Sequence, residues 1–311
     1  YLFTLHKNIM NLFTFSALCL KPQSCWIIFL TGMYGVTAAD SGNQKMMAIK
    51  MLPIIHFILL LWIAGMYRIS NISNQYSTEN VAVAVIQPNI NPNEKWEQIH
   101  REETFQTMHK LLDEAIALNP DLILWPESAV PSHLRLSYSD RNPIQKKVES
   151  SGIPLLAGTV DRSVDQSGET NYFNSTIMMY PDGKINMYHK VHLVPFAEYI
   201  PLSEYFPSLK KLNFGQGNFS KGKKFTVFHV DSVRFSNCIC YESSSPNIIR
   251  KFIKNGAQFL SIQANDGWLG KSSGPYQHFE LAKLRAVENR ISIARCANTG
   301  ISGFILPTGE V

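Results

Sequence analysis

Apolar positions follow two different regimes along this chain. In the first 70 residues they cluster: "MLPIIHFILLLWIAGMY", Met51 to Tyr67, carries no charge and approaches the length that crosses a bilayer. A shorter run of the same kind, "WIIFLTGMYGVTAA", spans Trp26 to Ala39. The pattern predicts a membrane region over 1–70, with a transmembrane helix at about 51–67 and a second at about 26–39. A buried core helix or a signal peptide gives similar runs, but a signal core is shorter and no cleavage-type ending follows Tyr67. Lys45 and Lys50 precede the main run and Arg68 follows it, a bias that places the preceding loop in the cytoplasm and residues beyond about 75 outside it.

After a polar linker at 71–80, "NISNQYSTEN", the periodicity changes to short apolar runs alternating with amphipathic segments. "VAVAVIQ" (81–87) reads as a buried strand, residues 93–120 as an amphipathic helix ended by Pro120, and "LILWPES" as a strand running into a Pro-Glu turn. "PLLAGTV" is a strand, "STIMMYPDGKINMYHK" a hairpin turning at Asp182-Gly183, and "FTVFHVDSVRFSNCIC" two strands around Asp231-Ser232. A helix from about Pro246 to Asn255, strand "FLSIQ", helix "PYQHFELAKLRAVENR" and strand "SIARCA" complete the series. Such alternation, mixed with hairpins, predicts one α/β domain over 81–311 built on a mixed sheet covered by helices. The chain begins on Tyr1 and stops at "LPTGEV", a turn with a strand just starting, so we read the domain as C-terminally truncated and the chain as a fragment of a longer membrane protein.

Composition narrows the function classes. A net charge of +5 over 311 residues, without blocks of basic and aromatic residues, argues against nucleic acid as a partner. The five cysteines, 19, 25, 238, 240 and 296, have neither metal-ligand spacing nor the density of a disulfide framework. Cys238 and Cys240 would point the same way from a strand, too close along one chain for an ordinary bridge.

Three reactive side chains stand where predicted strands end: Glu127 after "LILWP", Lys190 after "INMYH" and Cys240 after "FSNCI". Strand ends are where open sheets expose chemistry, and a carboxylate, an amine and a thiol suffice for acyl transfer. Each alone also has an ordinary explanation: a buried free cysteine, a solvated lysine near a turn, a Pro-Glu helix start.

The blocks "LILWPESAVP", "YHKVHLVPFAEYIPL", "CICYESSSP" and "NDGWLGKSSGPYQHFELAKLRAVENRISIARCANTGISG" together resemble the successive signatures of the carbon-nitrogen hydrolase (nitrilase) superfamily. Within it, "HLVPFAEYIPL" and "NDGWLG" followed by "GPYQHFELAKLRAVENR" are similar to the membrane-anchored apolipoprotein N-acyltransferases. The resemblance implies a nitrilase-like αββα sandwich preceded by transmembrane helices, in a bacterial inner-membrane protein with its catalytic domain on the periplasmic side. It implies Glu127 as general base, Lys190 as electrostatic stabiliser and Cys240 as nucleophile, with Glu198 positioning the lysine. Supporting positions would be Trp96, Asn174, Pro201, Tyr241, Glu242 and Trp268; packing would equally account for the two tryptophans, and a hairpin cap for Asn174. The implied reaction passes an acyl chain from a membrane phospholipid, through a Cys240 thioester, to the N-terminal amine of a diacylated apolipoprotein, with neither metal nor cofactor. The loops at 192–219 and 265–275, rich in aromatics, Pro and Gly, are expected to border the site and contact lipid. A membrane-tethered amidase or nitrilase using water would need the same three residues, and a non-catalytic binding module would need none of them.

Overall fold

The computed structural model describes residues 2–6, 44–74, 80–91, 94, 96–201, 218–270 and 272–311. The chain divides into two units, 10–76 and 77–311, the latter including the N-terminal strand β1 (Leu2–His6). The first unit contributes α1 (Gln44–Asn74), which carries the predicted apolar run and continues past its end. Over Met51–Asn71 it is long and apolar enough to cross a membrane, and only 6% of its strongest apolar window is buried. Leu52, Phe57, Leu60, Trp62 and Tyr67 all lie exposed along it. It is the one such helix among the described residues; the run at 26–39 lies outside them, as does half of the linker, 75–79, while residues 71–74 of the linker are the end of α1.

The second unit holds two sheets. The first has six strands in the order β1, β2 (Asn80–Val85), β3 (Leu122–Leu124), β4 (Leu155–Val164), β5 (Thr170–Met179), β6 (Ile185–His189). β2, β3 and β4 run parallel, and β1, β5 and β6 pair antiparallel to their neighbours. The second sheet has five strands: β7 (Phe228–Val230), β8 (Val233–Ile239), β9 (Phe259–Ala264), β10 (Ile293–Ala297) and β11 (Gly303–Ile305), with β8, β9 and β10 parallel.

Residue alternation along the first sheet builds two cores. Val81, Val83, Leu122, Leu124, Leu156 and Met178 face the second sheet, sharing a core with Phe235, Cys238, Ile262 and Ala294. Behind that sheet, the same core takes in α4 (Pro246–Lys254) through Ile249 and Phe252 and α5 (Gly274–Asn289) through Phe279, Ala282 and Ala286. The opposite set, Ala84, Ile86, Ile123, Leu155, Ala157 and Ile177, packs against α2 (Gln98–Ile116) through Phe105, Met108 and Leu112, and α3 (Tyr138–Ser151) through Ile144 and Val148. Period two in the strands and spacings of three and four in the helices thus give four layers, αββα, where strand alternation alone suggested one mixed sheet.

A buried polar ladder crosses between the sheets. Asn237 of β8 donates to Thr176 of β5 (2.8 Å) and to Gln263 of β9 (2.9 Å), while Gln263 donates to the Trp125 carbonyl (2.7 Å). Such groups are costly unless paired, so they fix the offset of one sheet on the other more strictly than the surrounding aliphatic contacts.

The sequence reading missed α3: its polar stretch "YSDRNPIQKKVESS" carries Pro143 inside and buries only Ile144, Gln145 and Val148. Gly152, in the left-handed conformation at φ 72°, closes it and was the available signal. β5 begins at Thr170, well before the predicted hairpin strand, because β4 and β5 pair along their full ten residues. One expectation is corrected at the second sheet. Cys238 lies in β8, but Cys240 has left the strand, with a φ of 49° that breaks the alternation the shared-face argument assumed.

Candidate active site

The ends of β3, β6 and β8 deliver Glu127, Lys190 and Cys240 to one place. Glu127 sits in the turn after β3. In β4 below, a Cβ on Gly158 would collide with the Pro126 carbonyl and the backbone of Glu127 and Ser128, so only glycine lets this turn lie so close. Lys190 is fixed by its backbone: its N–H donates to the Asn174 carbonyl (2.9 Å), and its carbonyl accepts from Gly222 N–H (2.7 Å). Gly222 is the second required glycine, since a Cβ there would strike the His189 carbonyl.

Lys190 is 1% exposed, and its Nζ lies 2.8 Å from Glu198 Oε1 and 3.7 Å from Glu127 Oε1. Asn174 Nδ2 donates to both carboxylates, at 2.8 Å to Glu127 and 3.0 Å to Glu198. Asn174 is therefore a buried bridge between two acids and not a hairpin cap. Glu198 is placed by its own loop, accepting at Oε2 from Val194 N–H (2.8 Å) while its N–H donates to the Val194 carbonyl (2.9 Å). One ammonium between two carboxylates stays charged: despite burial, Glu127 and Glu198 drive Lys190 above its ordinary value.

Cys240 opens a 3-10 turn, Cys240–Ser244, directly after β8, and is partly accessible. Burial and the nearby Glu127 push its thiol well up, while Lys190 pulls it down. Of the charged groups that act on this thiol, Glu127 weighs most.

Glu242 explains how these ends stay together. Its carboxylate is fully buried and accepts from Tyr188 OH (2.8 Å), Val191 N–H (2.7 Å), His192 N–H (3.0 Å) and Ile239 N–H (2.9 Å). One side chain thus ties the loop after Lys190 to the residue before Cys240. Burial pushes this carboxyl up, and its hydrogen bonds oppose the shift.

Of the remaining predicted residues, Tyr241 is exposed and stacks on His192, with ring centroids 5.5 Å apart. Trp268 (47% exposed) lies in the 3-10 turn Asp266–Leu269, and Trp96 (46%) in the turn before α2, so neither is a core residue. Pro201 is half-buried at the end of the described part of its loop; residues 202–217 lie outside the described residues.

Sequence reasoning passed over Asp266, His278 and Arg295. The Cys240 Sγ and the nearest donor atoms of Asp266 and His278 lie within 4.8 Å of one another, the dimensions of a metal site. Their hydrogen bonds favour a different reading. Asp266 Oδ1 meets His278 Nδ1 at 2.8 Å, Asp266 Oδ2 accepts from Arg295 at 2.7 Å, and His278 Nε2 meets Ser243 Oγ at 2.8 Å, so the donors are already engaged within the protein. The motif blocks "NDGWLG" and "GPYQH" contain two of the three, but nothing in their spacing reveals that they meet.

Comparison with known proteins agrees with this architecture. Residues 82–311 match the carbon-nitrogen hydrolase family model. The chain is 38% identical over 289 residues to the apolipoprotein N-acyltransferase of Chlorobaculum tepidum, covering 85% of this chain and 54% of that protein. It is 36% identical to the Geobacter metallireducens apolipoprotein N-acyltransferase, over 74% of this chain and 44% of the relative. The Rickettsia prowazekii apolipoprotein N-acyltransferase is 31% identical over 96% of this chain and 60% of its own length, so the chain spans about half the length of the curated relatives it matches. Among solved structures, Saccharomyces cerevisiae Nit3, of the nitrilase superfamily, superposes with a TM-score of 0.54 at 19% identity over 73% of this chain and 83% of its own. An amidase from Nesterenkonia sp. gives 0.52 at 19%, over 73% and 82%. At that identity the superpositions speak for the fold alone. With more than two thirds of its length matched, and with two sheets arranged as a nitrilase-like α/β fold, the chain belongs to the carbon-nitrogen hydrolase family.

Proposed function

We propose that this chain carries the catalytic unit of an apolipoprotein N-acyltransferase of the bacterial inner membrane, with its two sheets on the periplasmic side and α1 crossing the bilayer. The observation that carries the reading is the Glu127, Lys190, Glu198 and Asn174 cluster beside a partly accessible Cys240 thiol. Glu127 takes the thiol proton as Sγ attacks the ester carbonyl of a phospholipid. Lys190 Nζ and the backbone N–H of Tyr241 stabilise the oxyanion. Collapse expels the lysophospholipid alkoxide, which takes the proton from Glu127, and leaves an acyl thioester. The neutral α-amine of a diacylglyceryl-cysteine then attacks the thioester, Glu127 accepts the amine proton, and Cys240 leaves as thiolate and recovers it. The product is an N-acylated lipoprotein.

Apolar surface supports lipid rather than a small amide as donor. Phe196, Tyr241, Trp268 and Leu269, all exposed, belong to the loops that carry or adjoin the cluster, and α1 exposes an apolar surface suited to a bilayer. The decisive experiment supplies the full-length protein with labelled phospholipid and no amine. A hydroxylamine-sensitive adduct should accumulate on Cys240, and adding a diacylated lipopeptide should discharge it. Hydrolysis of small amides with no phospholipid-derived adduct would instead favour a membrane-tethered amidase.

A further inference from the structure

A second polar network, sharing no side chain with the Glu127 cluster, also reaches Cys240. Asp266 follows β9, Arg295 lies within β10, and His278 lies on α5. Arg295 and Asp266 are buried, and Arg295 Nη2 lies 2.7 Å from Asp266 Oδ2 and 3.1 Å from His278 Nδ1. On its other edge the imidazole Nε2 stands 2.8 Å from Ser243 Oγ and 3.1 Å from the Cys240 carbonyl oxygen. Ser243 Oγ donates to that same carbonyl at 2.8 Å. A carbonyl only accepts, so an Nε2–H is what answers the Cys240 oxygen, while Nδ1 lies between the Asp266 carboxylate and the Arg295 guanidinium. Asp266, itself shared with Arg295, thus holds the Nδ1 edge of His278 while the Nε2 edge faces the Cys240 carbonyl.

The grip falls on the backbone of the nucleophile. In a trans peptide the C=O and the following N–H are coplanar and point in opposite directions, so whatever fixes the Cys240 oxygen also fixes the Tyr241 N–H. Cys240 holds φ 49°, a left-handed conformation that is costly for a non-glycine residue and persists only when its surroundings impose it. We infer that His278, held by Asp266 and Arg295, is a positioning residue that clamps the Cys240 carbonyl and so aims the Tyr241 N–H at the oxyanion of the acyl-transfer step. The inference rests on Cys240 being the acyl carrier, but not on the identity of the donor.

The test compares two replacements that split the imidazole. An asparagine amide nitrogen falls near Nδ1, keeping Asp266 and losing the carbonyl; a glutamine amide nitrogen falls near Nε2 and does the reverse. In the full-length protein, acylation of Cys240 is timed with two esters, an acyl-labelled phospholipid and p-nitrophenyl butyrate, and alkylation of Cys240 with iodoacetamide, which forms no oxyanion. His278→Asn should slow acylation by about 30- to 100-fold at unchanged KM, less than the roughly 10²- to 10³-fold cost of deleting an oxyanion donor. Because His278 and Asp266 lie within 4.8 Å of Sγ, alkylation is compared at pH values that ionise the thiol equally in each variant; it should then change by less than about threefold, and His278→Gln should regain at least about tenfold of the lost acylation rate. Acylation at the wild-type rate in His278→Asn, or equal losses of acylation and alkylation in both variants, would overturn the clamp. A wild-type protein labelled by p-nitrophenyl butyrate but not by phospholipid would overturn only the proposed donor, and the clamp is then judged on the nitrophenyl ester. Inertness of the wild type to both esters would overturn the acyl-carrier reading and the clamp with it.

Discussion

Two polar networks meet at Cys240, one from each sheet, and they differ in charge and in what they touch. The first sheet and its loops bring Glu127, Asn174, Lys190 and Glu198, two carboxylates about one ammonium, whose charges act on the thiol. The second sheet and its helix bring Ser243, Asp266, His278 and Arg295, which bond to the Cys240 carbonyl and to one another. The first network acts on the sulfur and its proton; the second, though Asp266 also raises the thiol, is the one that bonds to the peptide that follows it. Under the proposed function, Cys240 draws on two kinds of support, charge about its sulfur and hydrogen bonds that hold its peptide.

The strongest way to break this contrast is to remove a charge on the sulfur side. Lys190→Ala should slow acylation of Cys240 by at least about 10²- to 10³-fold, because it deletes an oxyanion-stabilising cation. Lys190 also lowers the thiol, so its loss should move the pH dependence of iodoacetamide alkylation upward. Glu127→Gln should slow ester acylation by about a hundredfold through loss of the proton acceptor. Its alkylation profile should nevertheless move to lower pH, because the Glu127 charge is one of the causes that hold the thiol up. Opposite shifts in alkylation with same-sign losses in acylation would separate electrostatics from proton transfer. Alkylation profiles that move together in the two variants would refute the assignment of those charges.

How much of this was legible follows the same division. Glu127, Lys190 and Cys240 drew attention because their side-chain types are reactive and each stands just past a short apolar run, but each alone had an ordinary explanation and only the family resemblance joined them. Asp266 stands just past a strand, but His278 lies inside a helix and Arg295 in the middle of a strand, and an Asp in a Gly-rich turn, a His on a helix and an Arg in a strand each have common structural roles. Only the crossing of β9, β10 and α5 makes them neighbours. The αββα layering was likewise outside the reach of periodicity, which marks a strand's two faces without saying which sheet covers them. The family resemblance supplied that layering, and the polar ladder through Thr176, Asn237 and Gln263 supplies a physical reason for the sheets' offset.

Glu242 connects the two halves and sharpens the contrast at smaller amplitude. Glu242→Gln keeps the shape but turns an NH2 toward some of the donors from Tyr188, Val191, His192 and Ile239. We expect a loss of about 2–3 kcal/mol, the cost of leaving one or two donors to a charged group unanswered. It should appear as a lowered thermal midpoint, with acylation falling as the Lys190 loop loosens from the Cys240 turn. An unchanged midpoint would show that the tether is dispensable.

The smallest effect is expected two residues from the nucleophile. Cys238 is fully buried in β8, where burial and nearby Glu242 raise its thiol, whereas the partly accessible Cys240 has Lys190 to pull its thiol down, so Cys238 is not expected to carry the acyl group. Cys238→Ser preserves volume but puts a more polar group into an apolar core, at a cost of about 1–2 kcal/mol. The acyl adduct should remain on Cys240, at a rate within about threefold of wild type, since the change reaches no charge near the sulfur and no bond to the Cys240 carbonyl. Peptide mass spectrometry after hydroxylamine treatment reads the outcome directly. An acyl group on Cys238, or its disappearance in Cys238→Ser while the protein still folds, would reverse the roles of the two cysteines. It would also remove the significance attached to the turn at Cys240, whose left-handed backbone takes it out of the strand that holds Cys238.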